Sequence, residues 1–431
     1  MSSSDPEYLR IRAMVEQCVQ TALPAGELLP DEDCDWIESG ALDSMAHVEV
    51  LLGIETAFCL PGLFGRYGGA PPATTRTAAE IVVQAVSAGV ECDVEQGKNI
   101  VLKNEVPLAA GAFAGWGTAL GSECIPIERV EEEFHLSSGS LAKRTGIDSV
   151  RRVSRGEDEL LLAKTAAERA LEMAGVTTEK VDWIIATSES FLGFPSLAAL
   201  LHTSLLASSA CRLLDIGGAC LGLLNSFAVA KALFADPGVG CILIVSADVH
   251  SRRLAGEGVP AEFAGLFGDG ASAFVLRKSA PSTDSEGYSI RASIGSCIGT
   301  FSSALRISIG ANDSVVVDFD GAALARAAAD RMERTICDLE RICGLRQESV
   351  SAFVLHQPNP RLVETMRRRA NIPIEKIPLV GKTCGNLGSS TCGVALCTAL
   401  DEHARKPRSA RGPILLAAVS PGMLWGGTVL N

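Results

Sequence analysis

Hydrophobic and polar residues are arranged in two different styles along this chain. In the first ninety or so residues the apolar positions recur at helical spacing. A run over 6–22 opens at Pro6, ends near Pro24 and predicts a helix. Over 44–58, Met45, Val48, Leu51, Leu52 and Ile54 share one face and predict a second, amphipathic helix. An acidic loop, Asp31-Glu32-Asp33-Cys34-Asp35, separates the two. A Gly- and Pro-rich loop from Gly62 to Pro72 leads to a last short helix over about 77–88. Such a succession predicts a small helical bundle. Residues 90–107 are mixed and charged and read as a linker, in which Ile100-Val101-Leu102 allow a short strand.

From residue 108 onward the pattern changes. Short, continuously apolar runs over 183–187, 241–245, 273–276, 353–355 and 414–419 read as buried strands. Helical periodicity falls between them, over 159–174, 220–234, 322–343 and 390–401. This alternation predicts an α/β core. The pattern also repeats. Gly175-x-x-x-Glu179-x-Val181-x-Trp183-Ile184-Ile185 returns as Gly344-x-x-x-Glu348-x-Val350-x-Ala352-Phe353-Val354, each residue 169 positions later. The same offset lays 215–220 onto 384–389, each a loop feeding a helix. Two halves, 108–280 and 281–431, are therefore expected to share one βα topology, with loops from both meeting on one seam.

Charge separates the two styles. The chain carries a net charge of −13 over 431 residues. Residues 1–89 hold 13 acidic and 4 basic side chains, a net of −9; the rest hold 38 and 34, a net of −4. An acidic front end joined to a nearly neutral body argues for two domains with different partners, and against a nucleic-acid binder, which needs a basic face. Fourteen cysteines occur with no Cys-x-x-Cys pair and no His at metal spacing, so no metal site is expected. Residues 1–12 lack the pattern of a secretory leader, which makes a reducing, cytoplasmic setting the expectation. The uncharged stretches 190–211 and 412–431 contain Pro and Gly and read as globular core, not membrane.

Four residues stand out chemically. Ser44 opens a helix behind Asp43, where a helix cap is the ordinary role. Cys220 sits in Gly217-Gly218-Ala219-Cys220-Leu221-Gly222, a glycine turn entering an apolar helix, where a helix start is expected to lower a thiol pKa. Of the six histidines, His356 is the one read as ending an apolar strand, before Gln357-Pro358-Asn359; His47 and His202 read as structural or solvated. Asn386 lies in Cys384-Gly385-Asn386-Leu387-Gly388, by itself an ordinary turn. Gly115-x-Gly117-x-x-x-Gly121 has a dinucleotide look, but its last glycine is one residue late and the acidic partner is missing.

Together these pieces resemble known families. Gly40-x-x-Asp43-Ser44-Met45, with Val48-Glu49 following, resembles the attachment motif of acyl carrier proteins, and the likeness covers 6–88 in size, charge and helix order. It implies 4′-phosphopantetheine on Ser44. Residues 108–431 resemble β-ketoacyl-ACP synthase III enzymes of the thiolase fold. The likeness rests on Arg144-Thr145-Gly146-Ile147, Gly218-Ala219-Cys220-x-Gly222, Phe267-Gly268-Asp269-Gly270-Ala271, His356-Gln357-x-Asn359, Gly385-Asn386 and Trp425-Gly426. The expected architecture is thus a small α-helical carrier bundle (1–89), the linker, and an α/β thiolase-like fold of duplicated βαβ halves. The resemblance implies a Cys220, His356, Asn386 triad, a homodimer with Phe194-Pro195 at its contact, Arg144 and Arg361 as phosphopantetheine-binding residues, and, as the alternative for Arg361, contact with a carrier's acidic helix. It also implies acyl and malonyl-type thioesters, other carrier proteins and a phosphopantetheinyl transferase as partners.

The sequence departs from that family at three places. Ser140 stands where the family has an adenine-stacking Trp. A CoA-contacting Arg is missing before Phe267. Ser420-Pro421-Gly422 replaces three glycines, and Pro421 has no N–H to offer an oxyanion. The first two departures favour donors delivered on carrier protein. The implied reaction is acyl transfer to Cys220 followed by decarboxylative Claisen condensation, as in fatty acid or polyketide-type synthesis. Two other readings stay open: a Cys220 acyltransferase acting on a hydroxyl or amine, and an acyl-carrier scaffold with an inactive body.

Overall fold

The structure, a computed structural model, describes residues 5–23, 27–58, 60, 63–66, 71–88, 110–254, 256, 258–279, 287–297, 305–309, 315–407 and 410–431. The predicted linker, Ile100-Val101-Leu102 included, lies outside them, as does the 280/281 boundary between the halves. The chain divides into two compact units, residues 1–97 with 319–330, and residues 98–318 with 331–431.

In the first unit the predicted helices form at Pro6–Ala22, Ser44–Ala57 and Thr75–Ser87. Each starts on a side chain that satisfies a free N–H. Asp5 accepts from Glu7, Asp43 from Ala46, and Thr74 forms a reciprocal box with Thr77. Their apolar faces close on one another through Tyr8, Ile11, Val15, Val19, Trp36, Leu51, Ile54 and Val82. The acidic loop is partly neutralised: Glu32 takes Arg12 at 2.9 Å and also Arg76, which reaches Asp33 as well.

The strands of the second unit run in chain order. They are β1 (Ala110–Leu120), β2 (Glu123–Pro126), β3 (Ser149–Arg152), β4 (Trp183–Thr187), β5 (Arg212–Asp215), β6 (Cys241–Val249), β7 (Asp269–Ser279), β8 (Ile290–Cys297), β9 (Leu305–Ile309), β10 (Val315–Phe319), β11 (Ala352–Leu355), β12 (Ile414–Ser420) and β13 (Leu424–Leu430). One large sheet has the order β1-β7-β6-β4-β5, the other β8-β13-β12-β11. The strands β6, β4 and β5 are parallel, as are β11 and β12. Laying β1, β7, β6 and β4 onto β8, β13, β12 and β11 reproduces the order, so the duplication read from sequence is a duplication of sheets. Its details hold to the residue. Gly175 and Gly344 both end a helix at φ 59. The 3-10 turns Thr178–Lys180 and Gln347–Ser349, and then Ala219–Leu221 and Gly388–Ser390, are each 169 apart.

The helices Gly222–Leu233 and Thr391–Ala404 lie between the two sheets. Phe227, Ile242, Phe274, Val354, Leu396 and Leu416 from both halves fill this one core. The outer face of the first sheet is covered by the helix Glu159–Ala174. The glycine run in β1 serves that contact. A Cβ on Gly115 would stand 2.2 Å from the Ala170 carbonyl oxygen, and one on Gly117 2.4 Å from that of Ala166. These glycines let a helix lie directly on a strand, which accounts for the dinucleotide look without a nucleotide. Gly115→Ala should therefore cost at least ~2 kcal/mol and lower the thermal midpoint by several degrees, read by calorimetry.

Candidate active site

The polar ends of the parallel strands gather the chemistry. The strand β5 ends at Asp215, and its loop carries the chain to the turn holding Cys220. That turn is tight: Gly218 has φ 127 and Ala219, a residue with a side chain, has φ 50. It packs against β12 and against the turn Gly388–Ser390, which begins two residues after Asn386. The end of β11 delivers His356, whose backbone N–H bonds the Ala417 carbonyl of β12 at 2.9 Å. Loops 169 residues apart thus bring the Cys220 turn against the turn after Asn386, and β12 lies against the Cys220 turn while pairing with β11, which ends just before His356.

Each of the three is held in a definite state. The Asn386 Oδ1 accepts from the Gly388 N–H at 3.0 Å and from the Thr391 hydroxyl at 3.2 Å. A backbone N–H can only donate, so this fixes the amide orientation and turns the Nδ2 donor away from both. His356 is buried, and burial alone pulls its pKa down to about 4. Near neutral pH it is an uncharged imidazole. Cys220 is buried too, and here the structure corrects the sequence reading. Its thiol pKa is raised well above the ordinary value, first by desolvation and then by the carboxyls of Glu189 and Asp248. The α-helix proper begins only at Gly222, and a dry site facing two acids outweighs what a helix start offers a thiolate.

Glu189, Asp248 and His250 were not singled out in the sequence. Glu189 follows β4 by two residues, and its carboxyl acts electrostatically on the Cys220 thiol. Burial, and then Asp248, push its own pKa up to about 8. Asp248 is fully buried at the end of β6 and ties the halves together. Its Oδ1 accepts from the Ser188 hydroxyl and the Glu189 and Ser190 N–H groups, its Oδ2 from the N–H and hydroxyl of Ser389. His250 directly follows β6, so His356 does not stand alone at a strand end; its Nε2 lies 3.9 Å from Glu189 Oε2. Two of the other four histidines hold backbone: His47 bonds the Pro72 carbonyl at 2.7 Å and His202 that of Ser208 at 2.9 Å.

The remaining predicted residues fall elsewhere. Arg144 and Arg361 come together on the packed helices Ser140–Thr145 and Pro360–Arg369. Arg144 pairs with Glu262 at 3.2 Å, and Arg361 donates to the Lys143 carbonyl at 3.3 Å. Ser44 is the first residue of its helix, and its side chain lies outside the described residues. Pro421 opens the turn after β12, followed by Gly422 at φ 78. Among the described residues no cluster fit for a metal occurs, and no helix is long and apolar enough to cross a membrane.

Comparison with known proteins agrees with this geometry. Residues 214–295 match the family described as 3-oxoacyl-[acyl-carrier-protein] synthase III, and 340–431 match its C-terminal family; the two spans contain Cys220, His356 and Asn386. A β-ketoacyl-[acyl-carrier-protein] synthase III of Listeria welshimeri is 30% identical over 306 residues, covering 70% of this chain and 92% of that protein. One from Granulibacter bethesdensis is 28% identical over 324 residues, covering 74% and 98%. The crystal structure of the Aquifex aeolicus 3-oxoacyl-[acyl-carrier-protein] synthase III superposes with a TM-score of 0.67 at 26% identity, over 74% of this chain and 99% of that one.

Proposed function

The chain belongs to the β-ketoacyl-[acyl-carrier-protein] synthase III family, and from that premise we propose that it is a carbon–carbon bond-forming enzyme working through an acyl-Cys220 intermediate. Cys220 takes an acyl group from a thioester. A malonyl-type thioester then loses CO₂, and its enolate attacks the Cys220-bound carbonyl. The observation that carries this reading is the neutrality of the two donors. A decarboxylating malonyl group develops negative charge on its thioester oxygen. An uncharged imidazole and an amide whose oxygen is already held can both donate there without giving up a proton. Acyl transfer to a hydroxyl or amine is the second reading, favoured by Pro421, which withdraws one N–H from the turn after β12. Release of CO₂ that depends on malonyl thioester separates the two.

Residues 1–89 are proposed to carry 4′-phosphopantetheine on Ser44. The first position of a helix suits a phosphodiester, because its backbone N–H groups and dipole favour negative charge. Such a group supplies a long arm ending in a thiol that carries acyl chains as thioesters. Offering a panel of acyl thioesters and measuring the masses of the Ser44 and Cys220 peptides tests both assignments. Acylation of Ser44-linked thiol without any on Cys220 supports the scaffold reading instead. Nearly complete exposure of Phe194 (98%) and of much of Leu192 (65%) supports a homodimer that covers them.

Delivery by carrier protein rests on Ser140 and on the Arg144–Arg361 face. Acidic carriers reach basic surfaces by long-range attraction, which salt weakens. Arg361→Glu should raise KM for carrier-bound donors at least tenfold and flatten its dependence on salt, with little change for a simple thioester. Steady-state kinetics between low and high salt check this.

A further inference from the structure

We propose that Glu189 is the general base for Cys220: it takes the proton from Sγ as the thiol attacks the incoming thioester. The inference rests on the reading of Cys220 as the acyl acceptor and adds a catalytic residue to it.

The argument begins with need. A thiolate is the nucleophile, and Cys220 sits where a thiolate is disfavoured. Burial and two neighbouring carboxyls hold the proton on sulfur. A thiol in such a place reacts efficiently only if its proton leaves during the attack. The acid–base group next to it is Glu189, two residues past the end of β4, and that strand end meets the Cys220 turn: a Cβ on Gly222 would stand 2.0 Å from the Thr187 hydroxyl.

Geometry then favours Glu189 as an acting group and not only a neighbour. Its backbone is locked. The Glu189 N–H donates to Asp248 Oδ1 at 2.5 Å, and Arg253 Nη1 donates to the Glu189 carbonyl at 3.3 Å. Its side chain is not locked in the same way. Oε1 is buried with no hydrogen-bond partner, and Oε2 faces His250 at a loose 3.9 Å. A structural buried carboxylate is normally saturated with donors, as Asp248 is with five. An under-coordinated one, beside a nucleophile, is suited to gain and lose a proton. The groups facing it set where it does so. Cys220, Asp248 and His250 surround the carboxyl, while Arg253 sits on its backbone carbonyl and Glu159 on the neighbouring Ser190 hydroxyl. Desolvation and Asp248 place its ionisation near 8, close to neutrality, where a general base is most effective.

The step balances. The Glu189 carboxylate accepts the Sγ proton as the S–C bond forms and the donor's C–S bond breaks. The resulting carboxylic acid protonates the departing thiolate. After condensation, Cys220 leaves as thiolate and takes up the one proton from solvent that decarboxylative condensation consumes, with Glu189 as the adjacent carrier.

The test uses the full chain with S-acetyl-, S-butyryl- and S-octanoyl-N-acetylcysteamine, following Cys220 acylation by intact mass from pH 6 to 10. In the wild type the rate should rise with pH and level off above about 8. Glu189→Gln should acylate on the order of a hundredfold more slowly, without the levelling near 8, its rate still climbing as the thiol itself ionises. Glu189→Asp should restore part of the rate and the levelling, a rescue that a purely structural role does not produce. Thermal denaturation of each variant shows that it is folded. If the wild type is acylated and folded Glu189→Gln stays within threefold of it with the same pH profile, the assignment to Glu189 is overturned while the acyl-Cys220 reading stands. If no probe acylates the wild type, both are overturned.

Discussion

In His356→Ala, malonyl-dependent release of CO₂ should fall by about 10²–10³-fold while acyl-Cys220 still accumulates. The split follows from what the imidazole can do at its position. It is buried at the end of β11 and uncharged at neutral pH, since burial holds its pKa at about 4. A group in that state is a poor proton acceptor but a serviceable hydrogen-bond donor. Its contribution belongs to the step in which charge appears on the thioester oxygen, not to the step in which sulfur loses its proton. Asn386→Ala should show the same split to a smaller degree, because a second donor to the same oxygen remains. The pH dependence gives a further check. Between pH 5.5 and 8 the decarboxylation rate should show no inflection from His356, and a loss should set in only as pH falls toward 4. Single-turnover CO₂ release from preformed acyl-enzyme, beside intact mass of the acyl-enzyme, separates the two steps. Equal loss of both would mean that His356 activates the thiol.

The three residues expected to act together stood out in the sequence because each sits at a break in a strongly apolar pattern. Cys220 lies in a glycine turn, His356 after a four-residue apolar strand, and Asn386 in a loop that copies the Cys220 loop at a fixed offset. Glu189 and Asp248 were not legible, for two different reasons. Glu189 lies in Ser188-Glu189-Ser190, which on sequence is a polar turn like any other. Only the sheet order, with β4 between β5 and β6, brings it beside the loop that leaves β5. Asp248 was hidden by its own strand. The apolar run stops at Val245, and Ser246 and Asp248 read as the strand's end. The strand continues to Val249 because each of those polar side chains finds a buried partner. Ser246 pairs with Ser272 across β7 at 2.7 Å, and Asp248 collects five donors. Periodicity locates strands whose inward faces are apolar, and it fails where a core is polar and satisfied. The glycines of β1, whose spacing only partly matched a dinucleotide loop, serve the close approach of a helix.

Glu189→Gln should also change stability, and in opposite senses for function and folding. The folded-state pKa of Glu189 is raised from 4.5 to about 8 by burial and by Asp248. Between these values the folded protein binds a proton that the unfolded chain does not. Stability from this group is therefore fully present below pH about 4.5 and is lost as pH rises through 8. Converted by 1.36 kcal/mol per pKa unit, the shift sets an upper bound of ~5 kcal/mol on what the ionisable side chain costs the fold above pH 8. Gln cannot ionise and keeps the shape. The variant should gain little or nothing at pH 5 and melt several degrees above the wild type at pH 8.5, a gap that denaturation curves at the two pH values measure. His356 works against the wild type at the other end. Its pKa is depressed from 6.5 to about 4, so its contribution is present above 6.5 and lost as pH falls toward 4 in both proteins alike. The difference between variant and wild type thus isolates Glu189, and a gap that did not widen with pH would mean that its carboxyl is solvated and unstrained. A widening gap together with slower acylation of Cys220 identifies a residue kept at a cost to stability, as expected of a group whose place is set by its reaction.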